Sequence, residues 1–218
     1  MILLDLDDTL INHTAAQRTA AQKFGAQFAS HIPNYSKQTF ADEWASVAAV
    51  YFRAFTKGEL SFQEQRRRRI RKIFQEPGLP AAQADEIFAN HLVHYEASWD
   101  VFEDTLPFLN AHTDTRLAIL TNGAQSQQEL KLKRTGIDHY FEFVITAESA
   151  KYAKPDARIF ELACEFANLK PDQITYIGDN LEKDAFGAQA AGLNGIWLNR
   201  DNLAAPDEVQ MITSLTDF

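Results

Sequence analysis

A single cysteine in 218 residues, Cys164, excludes any intramolecular disulfide. It stands in the pattern Ile159-Phe160, Ala163-Cys164, Ala167, the spacing of one helix face, and reads as core packing rather than as a nucleophile. No apolar run approaches the length that a bilayer crossing needs. Asp5 interrupts the first apolar stretch, so no secretory leader of the usual form is expected, and the expected location is the cytoplasm. Positive charge is short as well: 21 Lys and Arg stand against 30 Asp and Glu, a net −9. That balance argues against a nucleic acid polymer or a membrane surface as partner, since both are held by a positive field. Neither an internal repeat nor a low-complexity tract is visible. With 45% hydrophobic and 23% charged residues the chain is globular. Its length suits one domain with a large insertion, or two small domains.

What is present is concentrated at the start. The apolar run Ile2-Leu3-Leu4 passes directly into Asp5-Leu6-Asp7-Asp8-Thr9. An apolar run ending in acids reads as a buried parallel strand that delivers carboxylates to the sheet's C-terminal edge, where open α/β sheets place their ligands. Crowded carboxylates repel one another, so a fold that keeps them together calls for a cation.

From His13 to Trp99 the strand signal is absent and helical periodicity takes over. Phe40, Trp44, Val47, Tyr51 and Phe55 recur at steps of three or four, as do Ala20, Phe24, Phe28 and, later, Phe88, Leu92, Tyr95, Trp99. Ser61 with Glu64 forms a capping box that opens a third helix. Breaks at Pro33-Asn34, Lys57-Gly58 and Pro77-Gly78-Leu79-Pro80 leave four helices, the composition of a four-helix bundle cap. Beyond Thr105, strands and helices alternate: Leu117–Leu120, Phe143–Ile145, Ile174–Ile177 and Gly195–Leu198 read as strands with helices between. Alternation of this kind predicts an α/β fold, a Rossmann-like doubly wound parallel sheet. The expected organisation is a core of residues 1–12 and 100–218 with an inserted all-α cap, 13–99.

Three further strands end in polar clusters: Thr121-Asn122-Gly123, Ala153-Lys154-Pro155-Asp156, and Gly178-Asp179 with Asp184 five residues later. In a parallel sheet these ends share one edge. Asp5, Asp7, Asp8, Asp179 and Asp184 against Lys154 leave a negative excess that a hard divalent cation with oxygen ligands, such as Mg²⁺, corrects.

These residues resemble the motifs of the haloacid dehalogenase-like superfamily: D-x-D-x-T at Asp5–Thr9, a strand-terminal hydroxyl at Thr121, a lysine at Lys154, and G-D-x-x-x-x-D from Gly178 to Asp184. The resemblance covers essentially the whole chain. It implies an Mg²⁺-dependent phosphatase in which Asp5 attacks phosphorus to form an aspartyl-phosphate and Asp7 serves as general acid and base. By the same resemblance Asp5, Asp179 and the backbone carbonyl of Asp7 hold the metal, and Thr121, Asn122 and Lys154 hold the phosphate oxygens. Asp184 then orients Lys154 or the metal site, Thr9 shapes the loop, and Asp8 is structural, turned away from the metal. The segment Thr121–Ile137 is similar to the subgroup of pyrimidine 5′-nucleotidases and N-acylneuraminate-9-phosphatase. The implied substrate is a small phosphorylated metabolite, with nucleoside 5′-monophosphates as leading candidates, handled by a monomer or homodimer.

Rival readings are a phosphomutase of the β-phosphoglucomutase type, a 2-haloacid dehalogenase and a non-catalytic binding module. Asp7 counts against dehalogenation, because a departing halide needs no proton. Intact Asp5, Asp7, Lys154 and Asp179 count against the binding module.

Several residues carry a sharp and a bland reading. The basic run Arg66–Lys72 reads as a solvated helix face, or else one member such as Arg69 grips substrate. His91 and His94 read as ordinary helix surface rather than a metal pair. Lys151 stands where relatives often carry Gly and reads as a solvated lysine. Asn12 and His13 lie in the loop after the first motif, within possible reach of a leaving group.

Overall fold

A computed structural model describes all residues, Met1–Phe218. The chain divides into two compact units, Met1–Asn12 together with Asp100–Phe218, and His13–Trp99.

The first unit is built on six strands: β1 (Ile2–Leu4), β2 (Leu117–Thr121), β3 (Val144–Thr146), β4 (Thr175–Gly178), β5 (Asn194–Leu198) and β6 (Gln210–Ile212). Every pairing is parallel, in the order β3-β2-β1-β4-β5-β6. β1 is central, flanked by β2 and β4, although the segment between β1 and β2 is the longest in the chain. Both sheet faces are covered, as the unbroken apolar strands require. Ile2, Leu4, Ile119, Ile177 and Leu198 pack with Phe108 and Leu132 on one face. Leu3, Ala118, Leu120 and Tyr176 pack with Ile159, Phe160, Ala163 and Cys164 on the other. Cys164 is thus a buried core residue, and burial pushes its thiol pKa up.

The helices of this unit are α5 (Thr105–Ala111), α6 (Gln125–Thr135), α7 (Ala147–Ala150), α8 (Ala157–Ala167) and α9 (Gly187–Ala190). They begin and end where local chemistry dictates. Gly136 closes α6 in the left-handed region at φ 71°, and Asp156 caps α8 by accepting the Arg158 N–H. Ahead of α9, Leu181–Phe186 forms one wide π-helical stretch, so the single helix expected there is two segments. Lys151, with φ 65°, ends α7 and is exposed; the conformation is one that favours glycine.

The second unit consists of α1 (His13–Gln27), α2 (Phe40–Thr56), α3 (Phe62–Ile73) and α4 (Ala81–Glu96). Its core joins Phe24, Phe40, Trp44, Ile70, Ile73, Phe74 and Phe88. Ser61 caps α3 by accepting the Glu64 N–H. The apolar stripe of α2 fades along its length: Phe40 and Trp44 are buried, whereas Tyr51 and Phe55 are only half-buried. His91 departs from the surface expectation. It is 1% exposed, with Trp44 at 4.4 Å and Tyr95 stacked at 6.1 Å between ring centroids, because α4 turns this position inward. His94 remains near the surface, where its Nε2 meets Gln27 Oε1 at 3.1 Å. No helix is long and apolar enough to cross a membrane.

Candidate active site

The C-terminal ends of β1, β2 and β4, with the loop after β3, gather the polar residues. Asp5 follows β1 directly, and its N–H donates to the Ile177 carbonyl at 2.9 Å, so the carboxylate is carried on the sheet itself. The chain then turns sharply, with Leu10 and Ile11 both donating to the Leu6 carbonyl and Asp8 at φ 60°. Thr9 Oγ1 accepts the Asp179 N–H at 3.0 Å, tying this turn to the end of β4. The Thr9 carbonyl accepts from Arg200, whose guanidinium also forks onto Asp104 at 2.8 and 2.9 Å. Trp197 Nε1 donates to the Asp179 carbonyl at 2.7 Å.

Lys154 is the centre of the cluster. Its ammonium lies 2.7 Å from Asp184 Oδ1, 2.7 Å from the Tyr176 hydroxyl and 2.8 Å from Asp5 Oδ1. Asn122 clips the same loop from β2: its Nδ2 donates to the Lys154 carbonyl at 3.0 Å, and its Oδ1 accepts the Lys154 N–H at 2.8 Å. Burial pulls the ammonium's pKa down, but the charges of Asp184 and Asp5 outweigh it, and the group ends above its ordinary value. Asp184 is saturated by protein donors, since its Oδ2 also accepts the Asn180 N–H at 2.9 Å.

Asp5 and Asp179 are not so well supplied. Lys154 stands beside Asp5 Oδ1 as an ion pair at 2.8 Å, and this buried oxygen has no other donor. Asp179 Oδ1 has only a long 3.5 Å contact from Thr9 Oγ1. Burial and then, despite Lys154, the Asp184 charge push the Asp5 carboxyl up to about 6. Burial, followed by the charges of Asp5, Asp184 and Asp8, pushes Asp179 up to about 8. Asp8 is therefore close enough to act on Asp179 electrostatically, although its place in the turn is structural. Oxygens of Asp5, Asp179 and Asp184 lie within 4.8 Å of one another. Carboxylate oxygens that are crowded and short of donors, as those of Asp5 and Asp179 are, form the ligand set a hard divalent cation takes, so these two residues fit Mg²⁺.

Asp7 is held from the other side. Gln128 Nε2 donates to Asp7 Oδ2 and to Thr121 Oγ1, each at 2.9 Å, and the Lys131 ammonium is ion-paired with Asp7 Oδ1. Both side chains come from α6 and are fully buried. Tyr176, Gln128, Lys131, Trp197 and Arg200 were not singled out from sequence. The available signal was on α6, where Gln128 and Lys131 share a helix face with Leu132, at spacings of three and four, and so fall where apolar residues belong. At the start of α6, Glu148 accepts the Gln125 N–H at 2.8 Å, which removes that donor from any phosphate contact.

The sheet order, the strand-end carboxylates and the buried lysine are those of a known class. The description of haloacid dehalogenase-like hydrolases matches residues 1–192, and the chain belongs to this family. It is 28% identical to a phosphoserine phosphatase of Thermus thermophilus, over 95% of this chain and 93% of that one. It is 26% identical to the pyrimidine 5′-nucleotidase YjjG of Escherichia coli, over 95% and 89%. Among solved structures, the HAD-hydrolase YfnB of Bacillus subtilis, bound to magnesium, superposes with a TM-score of 0.81 at 23% identity. That likeness covers 99% of this chain and 95% of that one, and is one of fold.

Proposed function

We propose that this hydrolase is an Mg²⁺-dependent phosphatase of small phosphorylated metabolites, working through an aspartyl-phosphate on Asp5. The observation that supports it is the gathering of Asp5, Asp179, Asp184 and Lys154 at one sheet edge, with Asp7 held beside them from α6. An Asp5 oxygen attacks phosphorus; the Asp5–phosphorus bond forms and the ester bond breaks, the alkoxide taking a proton from Asp7. Asp7 then removes a proton from water as the water attacks phosphorus, releasing inorganic phosphate and restoring the Asp5 carboxylate. Lys154, Thr121 and the Asn122 backbone N–H hold the equatorial oxygens. Held by Asp5, Asp179 and the Asp7 carbonyl, Mg²⁺ would neutralise the repulsion between nucleophile and phosphate. Asp184 orients Lys154, and Thr9 fixes the turn. Gln128 and Lys131 set the position of Asp7. The helical unit, residues 13–99, serves as the specificity cap, and the protein works in the cytoplasm.

The test is a screen of phosphorylated metabolites with Mg²⁺ that includes nucleoside 5′-monophosphates and phosphoserine, the compounds for which two relatives are named. Asp5→Asn abolishes phosphate release while the fold is retained. Hydrolysis of haloacids with no phosphate ester turned over defeats the proposal, and isomerisation of a sugar phosphate without phosphate release points instead to a mutase.

A further inference from the structure

Tyr176 lies within β4, on the face that packs with Ile159, Phe160 and Ala163, and is fully buried. Its ring meets that of Phe160 edge-on, at 5.3 Å between centroids. Phenylalanine, valine or isoleucine would fill such a place with no hydroxyl to desolvate. What sets the tyrosine apart is where its hydroxyl ends. It accepts from the Lys154 ammonium at 2.7 Å, donates to the Leu120 carbonyl at 2.8 Å and lies 3.2 Å from Asp184 Oδ1. Those partners come from three separate stretches of chain: β2 just before Thr121, the loop after β3, and the π-helical stretch after β4. Burial, and then the charges of Asp184 and Asp5, push the phenol's pKa up, so the hydroxyl keeps its proton.

The Lys154 ammonium thereby has three neighbours: Asp184, Asp5 and this hydroxyl. Distances to two partners leave an ammonium free to swing about the line between them; a third fixes it at a point. The third partner is also the one that brings no charge. Another carboxylate would add to the negative field that a phosphate ester has to enter, whereas a hydroxyl holds the lysine without doing so. Because the same hydroxyl is bonded to the Leu120 carbonyl, it also sets Lys154 in relation to the next residue of β2, Thr121.

We propose that Tyr176 is a positioning residue of the active site, its hydroxyl holding the Lys154 ammonium in a fixed place relative to Asp5 and Thr121. This rests on the phosphatase reading above and adds to it a residue that acts only through the lysine. A donor fixed in advance needs no reorganisation when charge develops on the phosphoryl oxygens. Its loss therefore weakens the transition state more than the bound ground state.

The test is Tyr176→Phe, which keeps the ring and removes only the oxygen, assayed on 4-nitrophenyl phosphate in Mg²⁺ well below the melting temperature. kcat is expected to fall tenfold or more, with KM within threefold. By calorimetry, affinity for orthovanadate, which imitates a five-coordinate phosphorus, should fall by a similar factor. Affinities for inorganic phosphate and for Mg²⁺ should stay within threefold. Phe160→Leu is the control for packing: it disturbs the same ring contact and lowers the melting temperature, yet leaves kcat within threefold. A smaller fall in kcat for Tyr176→Phe, or orthovanadate and phosphate weakened alike, overturns this inference alone. So does a loss of kcat in Phe160→Leu as large as that in Tyr176→Phe, or failure of Tyr176→Phe to fold, since the tyrosine is then a structural element. Release of phosphate by the parent from neither 4-nitrophenyl phosphate nor any metabolite of the screen overturns the phosphatase reading and this inference with it.

Discussion

Lys131 reaches Asp7 from the buried face of α6, and the ammonium and carboxylate form an ion pair. With Gln128 on the other oxygen, each carboxylate oxygen of Asp7 is engaged by a side chain of one helix. If Asp7 is the proton donor proposed above, this hold aims it, and a small misplacement of a reacting group is costly. Lys131→Met is therefore expected to lower kcat/KM for an alkyl phosphate by roughly 100-fold. For 4-nitrophenyl phosphate, whose leaving group departs unprotonated, the loss should be below about tenfold. Steady-state kinetics on the two esters check this, and equal losses would mean that Lys131 does not act through Asp7.

Gly178, the last residue of β4, leaves no room for a side chain. A Cβ placed there would meet Asp184 Cγ and Oδ2 at 2.5 Å, and Asp184 cannot yield because Lys154 and the Asn180 N–H pin it. Gly178→Ala should cost about 1–3 kcal/mol by overpacking. Thermal melting should register a drop of roughly 2–4 °C per kcal/mol. Phosphate release should fall as well, since Lys154 loses an anchor. Gly78→Ala is the control: nothing lies within 4 Å of a Cβ at that position, and neither measurement should move appreciably.

The two under-supplied carboxyls link metal, protons and stability. Asp5 and Asp179 have folded-state values of about 6 and about 8, both above the value of about 4 expected in an unfolded chain. The folded protein therefore binds more protons than the unfolded one through this interval. The contribution of these two carboxyls to the stability of the metal-free protein should decline as pH rises from about 4 to about 8 and then level off. Mg²⁺ competes with those protons, so the rise in Tm that it produces should be small at pH 6 and larger at pH 8.5. Calorimetry in chelator and in Mg²⁺ reads both trends. A Mg²⁺ effect that shrinks with rising pH would remove these carboxylates from the metal site.

Asp5 and Asp179 were legible because each closes an apolar run, and Lys154 and Asp184 because they stand in the polar segments that follow strands, which a parallel sheet brings to one edge. The strands β1 to β5 were legible for the same reason. β6 was not, since Gln210-Met211-Ile212 carries little strand preference and is held by its pairing with β5. Lys131 and Gln128 escaped notice because polar residues on a helix are read as solvated unless something across the fold claims them. Arg69 and His91 show the reverse of that problem: a run of four arginines hides the one that turns inward, and only packing of α3 and α4 separates it from its neighbours.

His91 gives the helical unit its own sensitivity to acid. Buried among Trp44, Phe24 and Tyr95 and repelled by Arg69, it is held neutral, with its pKa lowered by burial first and by that charge second to about 3. An unfolded chain protonates the same ring near pH 6.5. Below that value the unfolded state binds the extra proton, so stability contributed by neutral His91 is complete above pH 6.5 and is lost progressively as pH falls toward 3. His91→Phe keeps an aromatic ring in the cluster, removes the unpartnered Nδ1 and cannot titrate. At pH 7.5 the variant should match the parent within about 1 kcal/mol. Between pH 6.5 and pH 4.5 the variant should gain stability relative to the parent, so that the two denaturation curves diverge in acid. Urea titrations across this range measure the difference; parallel pH profiles would show that the ring is charged, or reachable by protons, in the folded protein.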